Sequence, residues 1–332
     1  MKSDKSSESQ RPGRFSTVKN RKLMAGSIQI QNFSKSFDEV RAVQNLTLTI
    51  ESGELFGLIG PDGAGKTTTM RTLCTLLPCE QGEMFVAGKD VRKEVSAIRA
   101  MLGYMPQRFS LYPDLTVAQN LNFFADLFGV PGKEKNHQLQ RLYQFSRLEP
   151  FKNRLTGALS GGMKQKLALS CTLIHTPAVL ILDEPTTGVD PVSRREFWEI
   201  LQRLRAEGVT ILVSTPYMDE ASLCDRVAFI HAGRLLALDQ PENLHRYFPF
   251  VLYEVHCSEL RKVVDYFQHQ TPARSAQIFG ERLHVSFEQP LTEQQLSDIK
   301  RKAPAVLTGF KSISPSIEDT FLELMKNQEK GL

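Results

Sequence analysis

Leu55-Phe-Gly-Leu-Ile-Gly-Pro-Asp-Gly-Ala-Gly-Lys-Thr67 is a five-residue apolar run that feeds without a break into Gly-x-x-x-x-Gly-Lys-Thr. That order predicts a buried strand, a phosphate loop and the start of a helix. Such a loop needs small residues, because main-chain N–H groups must approach the phosphate oxygens while the helix N-terminus adds its partial positive charge. Gly60, Gly63 and Gly65 meet that need. Lys66 is expected to reach the β- and γ-phosphates as a mobile charge, and the Thr67 hydroxyl to take one position on Mg2+. Thr68 belongs with them in the nucleotide-binding set. The segment from Thr67 to Leu77 places Met70, Leu73 and Leu77 on one helical face, with Pro78 as the stop. Taken alone, the loop also fits a glycine-rich turn that merely joins two elements.

A second apolar run, Val179 to Leu182, ends in Asp183-Glu184. This is the pattern of a buried parallel strand delivering two carboxylates to the carboxyl edge of a sheet. Adjacent acids there can divide the work: Asp183 holds Mg2+, directly or through water, and Glu184 polarises the water that attacks the γ-phosphate. Solvated acids in an Asp-Glu-Pro turn are the plainer reading. That reading explains neither the phosphate loop nor Leu159-Ser-Gly-Gly-Met-Lys-Gln165, which begins 24 residues before Asp183.

With these stretches the chain resembles the nucleotide-binding subunit of ATP-binding-cassette (ABC) transporters, over roughly residues 27 to 245. The resemblance implies that Leu159–Gln165 is the signature motif. Its Ser160, Gly161 and Gly162, with Gln165 in the same set, would contact the γ-phosphate of ATP held by an opposite subunit. Ser-Gly-Gly before a helical stretch suits that task, offering a hydroxyl and N–H groups at a helix N-terminus. The resemblance further implies that Gln107, in Tyr104-Met-Pro-Gln107, senses Mg2+ and couples to a membrane partner. Phe37, 29 residues before Lys66, would stack on adenine, and Asp190, in Thr187-Gly-Val-Asp190, would communicate across the dimer. For Phe37, ordinary aromatic packing in a small β-subdomain stays open.

One position departs from the family's pattern. After Val209-Thr-Ile-Leu-Val-Ser214 the family usually carries a histidine that hydrogen-bonds the γ-phosphate, whereas this chain continues Thr-Pro216-Tyr-Met-Asp-Glu-Ala221. Proline has neither a side-chain donor nor a backbone N–H. Losing one oriented donor costs about a hundred- to a thousandfold in rate. A slow or purely structural ATP site is therefore expected on this chain's own Lys66, although Glu184 remains as base. The intact signature would complete a competent site on a second, different ATPase. Gly60–Thr68, Leu102–Gln107 and Leu159–Leu167 are similar to the N-terminal half of bacterial tandem-ATPase subunits of type-2 efflux systems, where that histidine is also replaced. Since one cassette is visible here, the expected partners are integral membrane permease subunits and a separate second ABC ATPase, with a homodimer as the alternative.

The sequence has 332 residues, 41% hydrophobic and 23% charged, enough for a substantial core and two domains. Its net charge of +4 is unevenly spread: residues 1–25 hold seven basic side chains against Asp4 and Glu8, hence +5, which leaves −1 for the rest. That excludes a general nucleic-acid surface on the folded part. The Ser-rich leader lacks an apolar segment, so it reads as a disordered tail rather than a signal peptide, and translation from Met24 is an equal alternative. No run of eighteen apolar residues occurs, so the bilayer pathway must come from a separate permease, with this chain peripheral at the cytoplasmic face of the inner membrane. Five cysteines and seven histidines form no metal-type pairs, and the cysteines read as reduced packing residues.

The expected fold is α/β: a leader over 1–25, a P-loop ABC ATPase core over 26–245 with an antiparallel β-subdomain, and a C-terminal α+β module over 246–332. A helical subdomain is expected at about 107–170, because 117 residues between Lys66 and Asp183 exceed what an alternating sheet needs. Leu115–Phe128 and Leu139–Leu148 have helical spacing, and Phe123, Phe124 and Phe128 read mostly as ordinary core. The resemblance implies a groove near Gln107 for a permease helix. Beyond Leu244 the predicted order is β-α-β-β-α-β, the split βαβ arrangement of ferredoxin-like domains, followed by a helix over Ile317–Lys326. Pro315-Ser-Ile-Glu-Asp-Thr-Phe321 resembles the tail of drug-efflux cassettes. That module carries no catalytic set; regulation or subunit contact is expected, with structural capping as the rival. The expected function is ATP hydrolysis that powers export of a drug, ion or lipid-like molecule through a separate permease. A non-transport ATP-dependent switch and a non-hydrolysing regulatory subunit are the alternatives.

Overall fold

The sheet that carries the phosphate loop is built from runs buried along their whole length. The computed structural model describes residues 27–108 and 111–330; the leader and the Met24 start lie outside the described residues. The chain divides into two compact units between Leu235 and Leu236, ahead of the composition change after Leu244. The first contains strands β1 (Ile28–Phe37), β2 (Val40–Ile50), β3 (Leu55–Ile59), β4 (Gln81–Val86), β5 (Lys89–Asp90), β6 (Leu102–Met105), β7 (Val179–Asp183), β8 (Thr210–Thr215) and β9 (Arg226–His231), with β10 (Arg234–Asp239) crossing the division. An antiparallel sheet has the order β2-β1-β4-β5, and a second sheet the order β10-β9-β3-β8-β7-β6. In the second, β6, β7, β8, β3 and β9 pair in parallel. Every residue of β3, β7 and β8 is buried, which is why these strands read as continuous apolar runs. Their register sets Ile59 beside Thr215 and Asp183 beside Ser214, so three strand ends reach one sheet edge together.

The helices of this unit are α1 (Lys66–Leu73), α2 (Val95–Met101), α3 (Val117–Leu127), α4 (Gly132–Ser146), α5 (Gly161–Leu173), α6 (Pro191–Ala206) and the short α7 (Met218–Ala221). Helix α1 stops at Leu73 and not at Leu77. Thr75 adopts φ 58°, and the N–H groups of Leu76 and Leu77 both return to the Arg71 carbonyl at 2.9 and 3.3 Å. A left-handed residue, rather than Pro78, closes the helix.

Helix α3 opens on a capping box between Thr116 and Gln119. The fully buried Asn120 amide shares its hydrogens among the Tyr112, Leu115 and Thr116 carbonyls and the Thr156 hydroxyl at 2.9–3.3 Å. Asn120 thereby fastens the loop after Gln107 to the segment that leads into the signature. The expectation of core phenylalanines fails here: Phe123 is 38% and Phe128 43% exposed, and Phe124 is half-buried. The helix buries Val117, Leu121 and Ala125 instead, a four-residue spacing that turns the aromatics outward. Among the described residues no helix is long and apolar enough to cross a membrane.

The second unit comprises β11 (Val251–Cys257), α8 (Leu260–Gln270), β12 (Ser275–Phe279), β13 (Arg282–Phe287), α9 (Glu293–Lys302), β14 (Leu307–Ile313) and α10 (Ile317–Lys330). Its sheet has the order β12-β13-β11-β14, all antiparallel, the expected ferredoxin-like arrangement. Val255, Val263, Phe267, Leu283, Val285 and Phe287 form its core. The tail motif anchors α10: the Ser316 N–H and hydroxyl donate to Asp319 Oδ2 at 2.9 and 2.6 Å, and the His284 ring meets Oδ1 at 2.7 Å.

Candidate functional site

Beyond β3 the backbone threads a space that only glycine fits. A Cβ on Gly60 would lie 2.1 Å from the Ile230 carbonyl oxygen, and one on Gly65, at φ 101°, 2.4 Å from that of Ala42. Gly63 has open space around it, and only its φ of 76° demands glycine.

Lys66 is 3% exposed. Its Nζ donates to the Gly60 and Pro61 carbonyls at 2.7 and 2.9 Å and lies 3.1 Å from Glu184 Oε1, so three acceptors match its three hydrogens. The other Glu184 oxygen, Oε2, accepts from Gln107 Nε2 at 2.9 Å. Glu184 stands at φ 49°, a left-handed conformation that a non-glycine residue adopts at a cost and that turns the chain immediately after β7. Asp183 Oδ1 accepts from Thr67 Oγ1 at 3.1 Å and from Ser214 Oγ at 2.8 Å. Ser214 Oγ in turn accepts from the Glu184 N–H at 3.0 Å. Burial pushes the Asp183 carboxyl above the usual range, against the hydrogen bonds from Ser214 and Thr67.

Asp183 Oδ2 is buried without a hydrogen-bond partner. A hard divalent cation would satisfy that oxygen. The donors gathered here are oxygens from Thr67 and Asp183, with Gln107 close by, and no group of three or more His, Cys, Asp or Glu that could hold a metal occurs among the described residues. This fits Mg2+, which binds through one or two protein oxygens together with water and phosphate, rather than an ion that needs a full protein cage.

A cavity of about 730 Å³ runs from Glu184 and Gln107 along the loop to Phe37. It brings together Phe37, Gly63, Gly65, Lys66, Thr67, Thr68, Gln107 and Glu184, and among the described residues no histidine lines it. The Phe37 ring is 44% exposed; Lys35 Nζ sits 5.6 Å from its centroid and is paired with Glu80 at 2.5 Å. Phe37 thus presents a ring to the cavity instead of packing into a core. Pro216 follows Thr215, whose carbonyl accepts from the Gly60 N–H at 3.4 Å, so the position that lacks the histidine lies directly beside the loop.

Ser160, Gly161, Gly162, Gln165 and Asp190 do not line this cavity. Ser160 caps α5, accepting from the Met163 N–H at 3.3 Å, and Asp190 caps α6, accepting from the Ser193 N–H at 2.9 Å. Hydrogen bonds from the Ser193 backbone and side chain hold the Asp190 carboxyl below its usual range. A Cβ on Gly162 would fall 2.3 Å from Ser193 Cβ, so the first turns of α5 and α6 abut, while Ser160 and Gly161 stay exposed. Two site residues escaped sequence reading. Ser214 was only the end of a strand until register set it beside Asp183, and Lys35 was one lysine among many until it lay under Phe37. The five cysteines are free, and four of them are buried.

The family model for the ABC transporter matches residues 43–187. The probable multidrug ABC transporter ATP-binding protein YbhF of Escherichia coli is 42% identical over 287 residues, covering 86% of this chain and 49% of that protein. The chain thus spans about half the length of the first curated relatives it matches. The Nod factor export ATP-binding protein I of Sinorhizobium fredii is 36% identical over 311 residues, covering 92% of this chain and 87% of that protein. Among solved structures, an ATP-binding subunit of an ABC transporter superposes with a TM-score of 0.60 at 28% identity, covering 67% of this chain and 92% of that one. A dimeric post-hydrolysis ATP-binding cassette bound to ADP and Pi superposes with a TM-score of 0.58 at 25% identity, covering 64% and 98%. With a relative of that identity matched over nearly its full length, and with the phosphate loop, the paired acids and the signature helix all in place, the chain belongs to the ATP-binding proteins of the ABC transporter family.

Proposed function

We propose that this chain binds and hydrolyses ATP to drive export through a separate membrane permease. The observation that carries the proposal is the cavity in which Lys66, Thr67, Gln107 and Glu184 meet, while the signature residues lie outside it, with Ser160 and Gly161 exposed at a helix N-terminus. Lys66 and the loop N–H groups hold the β- and γ-phosphates, and the Phe37 ring stacks on adenine. Thr67 and Asp183 would hold Mg2+, with Gln107 beside them, and the ion would supply positive charge against the phosphates. Glu184, oriented by Gln107 and Lys66, takes the proton of the attacking water. Ser160, Gly161, Gly162 and Gln165 reach the ATP of an opposing ATPase, and Asp190 sits at the same face, since α5 and α6 abut at Gly162.

Pro216 leaves this chain's own phosphate site without one donor, so that site turns over slowly. The opposing ATPase is accordingly a different protein, with a homodimer as the second reading. The exposed Tyr112 and Phe123, whose rings meet edge-on at 4.8 Å, suit the groove that receives a permease helix, which supports a peripheral position at the cytoplasmic face of the inner membrane. The words multidrug and Nod factor export in the names of its relatives support export as the direction. The C-terminal unit serves regulation or subunit contact.

Affinity isolation of the full chain from detergent-solubilised membranes, with ATP turnover assayed on the isolate, tests this reading. A multi-span permease and a second ATPase recovered together, with turnover, would support it. A permease with this ATPase alone would replace the heterodimer by a homodimer. A soluble partner without a permease would favour the switch protein and sink the export reading.

A further inference from the structure

Glu220 is 2% exposed, and nothing in the chemistry described above uses it. Its Oε1 accepts from Thr186 Oγ1 at 2.8 Å and its Oε2 from Thr215 Oγ1 at 2.5 Å. Arg194 Nε lies 3.7 Å from Oε1. These partners come from three separate segments. Thr186 follows Glu184 by two residues, Thr215 immediately precedes Pro216, and Arg194 stands in the first turn of α6, where its N–H donates to the Asp190 carbonyl at 2.9 Å. The Thr215 hydroxyl also accepts from the Tyr217 N–H at 3.0 Å, and the Arg194 guanidinium lies 4.2 Å from the Tyr217 ring centroid.

A carboxylate removed from water persists only when its oxygens are bonded and its charge is balanced. The two threonines supply the bonds, and Arg194 supplies the balance, shared with the exposed Asp219 at 3.7 Å from Nη1. The balance is incomplete in one respect. Arg194 Nε is buried and has no hydrogen-bond partner, because 3.7 Å exceeds hydrogen-bond reach. A displacement of α6 of under about 1 Å would convert that contact into a hydrogen bond.

We propose that Glu220 is a positioning residue for ATP turnover, and that Arg194 closes onto it when the Asp190 face engages the opposing ATPase. Closure draws together the loop after Glu184, the turn at Pro216 and the capped start of α6. With proline at 216 the turn has no histidine to fix it on the phosphate, and the doubly used Thr215 hydroxyl holds it instead. The proposal rests on the ATPase reading above, with Glu184 as base.

The test uses the full chain in its assembled complex, with the opposing ATP site inactivated so that turnover reports this chain's own site. Glu220→Gln keeps the shape and both hydrogen bonds, because an amide can donate to one threonine and accept from the other, but it loses the charge that attracts Arg194. Arg194→Met keeps the stem and loses the guanidinium. Each variant should lower turnover ten- to a hundredfold, on the order expected for a small misplacement of catalytic groups. ATP affinity should stay within about twofold, and the double variant should fall no further than either single one, as groups acting as a unit do. The thermal midpoint should be unchanged for Glu220→Gln, the variant that decides between positioning and stability, and lowered for Arg194→Met, which leaves the buried carboxylate unbalanced. Turnover equal to the unsubstituted complex would overturn the proposal, as would a fall in the affinity and midpoint of Glu220→Gln parallel to that in its turnover, which marks a plain fold staple. Failure of the ATPase reading looks different: the unsubstituted complex itself would release no phosphate.

Discussion

Gln107 and Glu184 are joined by a 2.9 Å hydrogen bond from Nε2 to Oε2, while Lys66 holds the other carboxylate oxygen at 3.1 Å. A carboxylate gripped on both oxygens keeps one orientation. If Glu184 is the base, Glu184→Gln preserves its volume and its bond to Gln107 but removes the proton acceptor. Turnover at this chain's own site, read with the opposing ATP site inactivated, should fall by about 10²–10⁴ while ATP still binds. Phosphate release measured beside a nucleotide-binding isotherm decides it, and unchanged turnover would favour the non-hydrolysing regulatory reading.

Pro216 follows the residue whose carbonyl accepts from the Gly60 N–H, so a side chain there borders the phosphate loop. In an assembled complex whose opposing ATP site has been inactivated, restoring a donor with Pro216→His should raise turnover by about ten- to a hundredfold, part of what one oriented donor is worth. Steady-state phosphate release would show it. No rise would mean that the site is not limited by the missing donor.

Much of this arrangement is legible in the sequence, because the strands that matter are buried on both faces and therefore read as unbroken apolar runs, Leu55–Ile59 and Val179–Leu182. The second unit was legible for a different reason: its short alternating strands and amphipathic helices each fit one period. What stayed hidden depends on register and helix phase. Nothing in Val209–Ser214 says that Ser214 will stand beside Asp183, and nothing in Glu220 says that Thr186 and Thr215 will converge on it. The aromatics of α3 are hydrophobic yet turned outward, because the helix phase follows Val117, Leu121 and Ala125. The end of α1 was set by the left-handed Thr75, a feature without a compositional mark.

Gly161 and Gly162 are neighbours with opposite constraints. A Cβ on Gly161 would find its nearest atom, the Gly188 carbonyl oxygen, at 3.9 Å, whereas one on Gly162 would collide with Ser193 at 2.3 Å. Gly162→Ala should therefore destabilise the fold by about 1–3 kcal/mol through overpacking, with partial recovery when combined with Ser193→Gly. Gly161→Ala should leave the melting temperature in place and reduce turnover only in the assembled complex, where the exposed signature meets the opposing ATP. Thermal melts of the three variants, set against their turnover, separate the two effects; equal melting losses for Gly161→Ala and Gly162→Ala would refute the assignment.

Asp319 is buried against β13. Burial alone would raise its carboxyl, but the hydrogen bonds from His284 and Ser316 outweigh that and hold it below the usual range. A carboxylate whose folded-state pKa is depressed contributes stability that is present above its unfolded value and is lost as the pH falls through the folded one. The attachment of α10 should thus hold at neutral pH and loosen progressively below about pH 4. Hydrogen exchange of the amides over 317–330 in the full chain reads this directly, since local opening of a helix is reported by its own amides. Asp319→Asn cannot accept from both partners as the carboxylate does, so it should cost about 1–3 kcal/mol of protection at neutral pH and flatten the acid dependence. Protection of α10 that stayed constant from neutral pH down to about pH 3 would show that this helix is held by its apolar contacts, such as the buried Phe321, and not by the carboxylate.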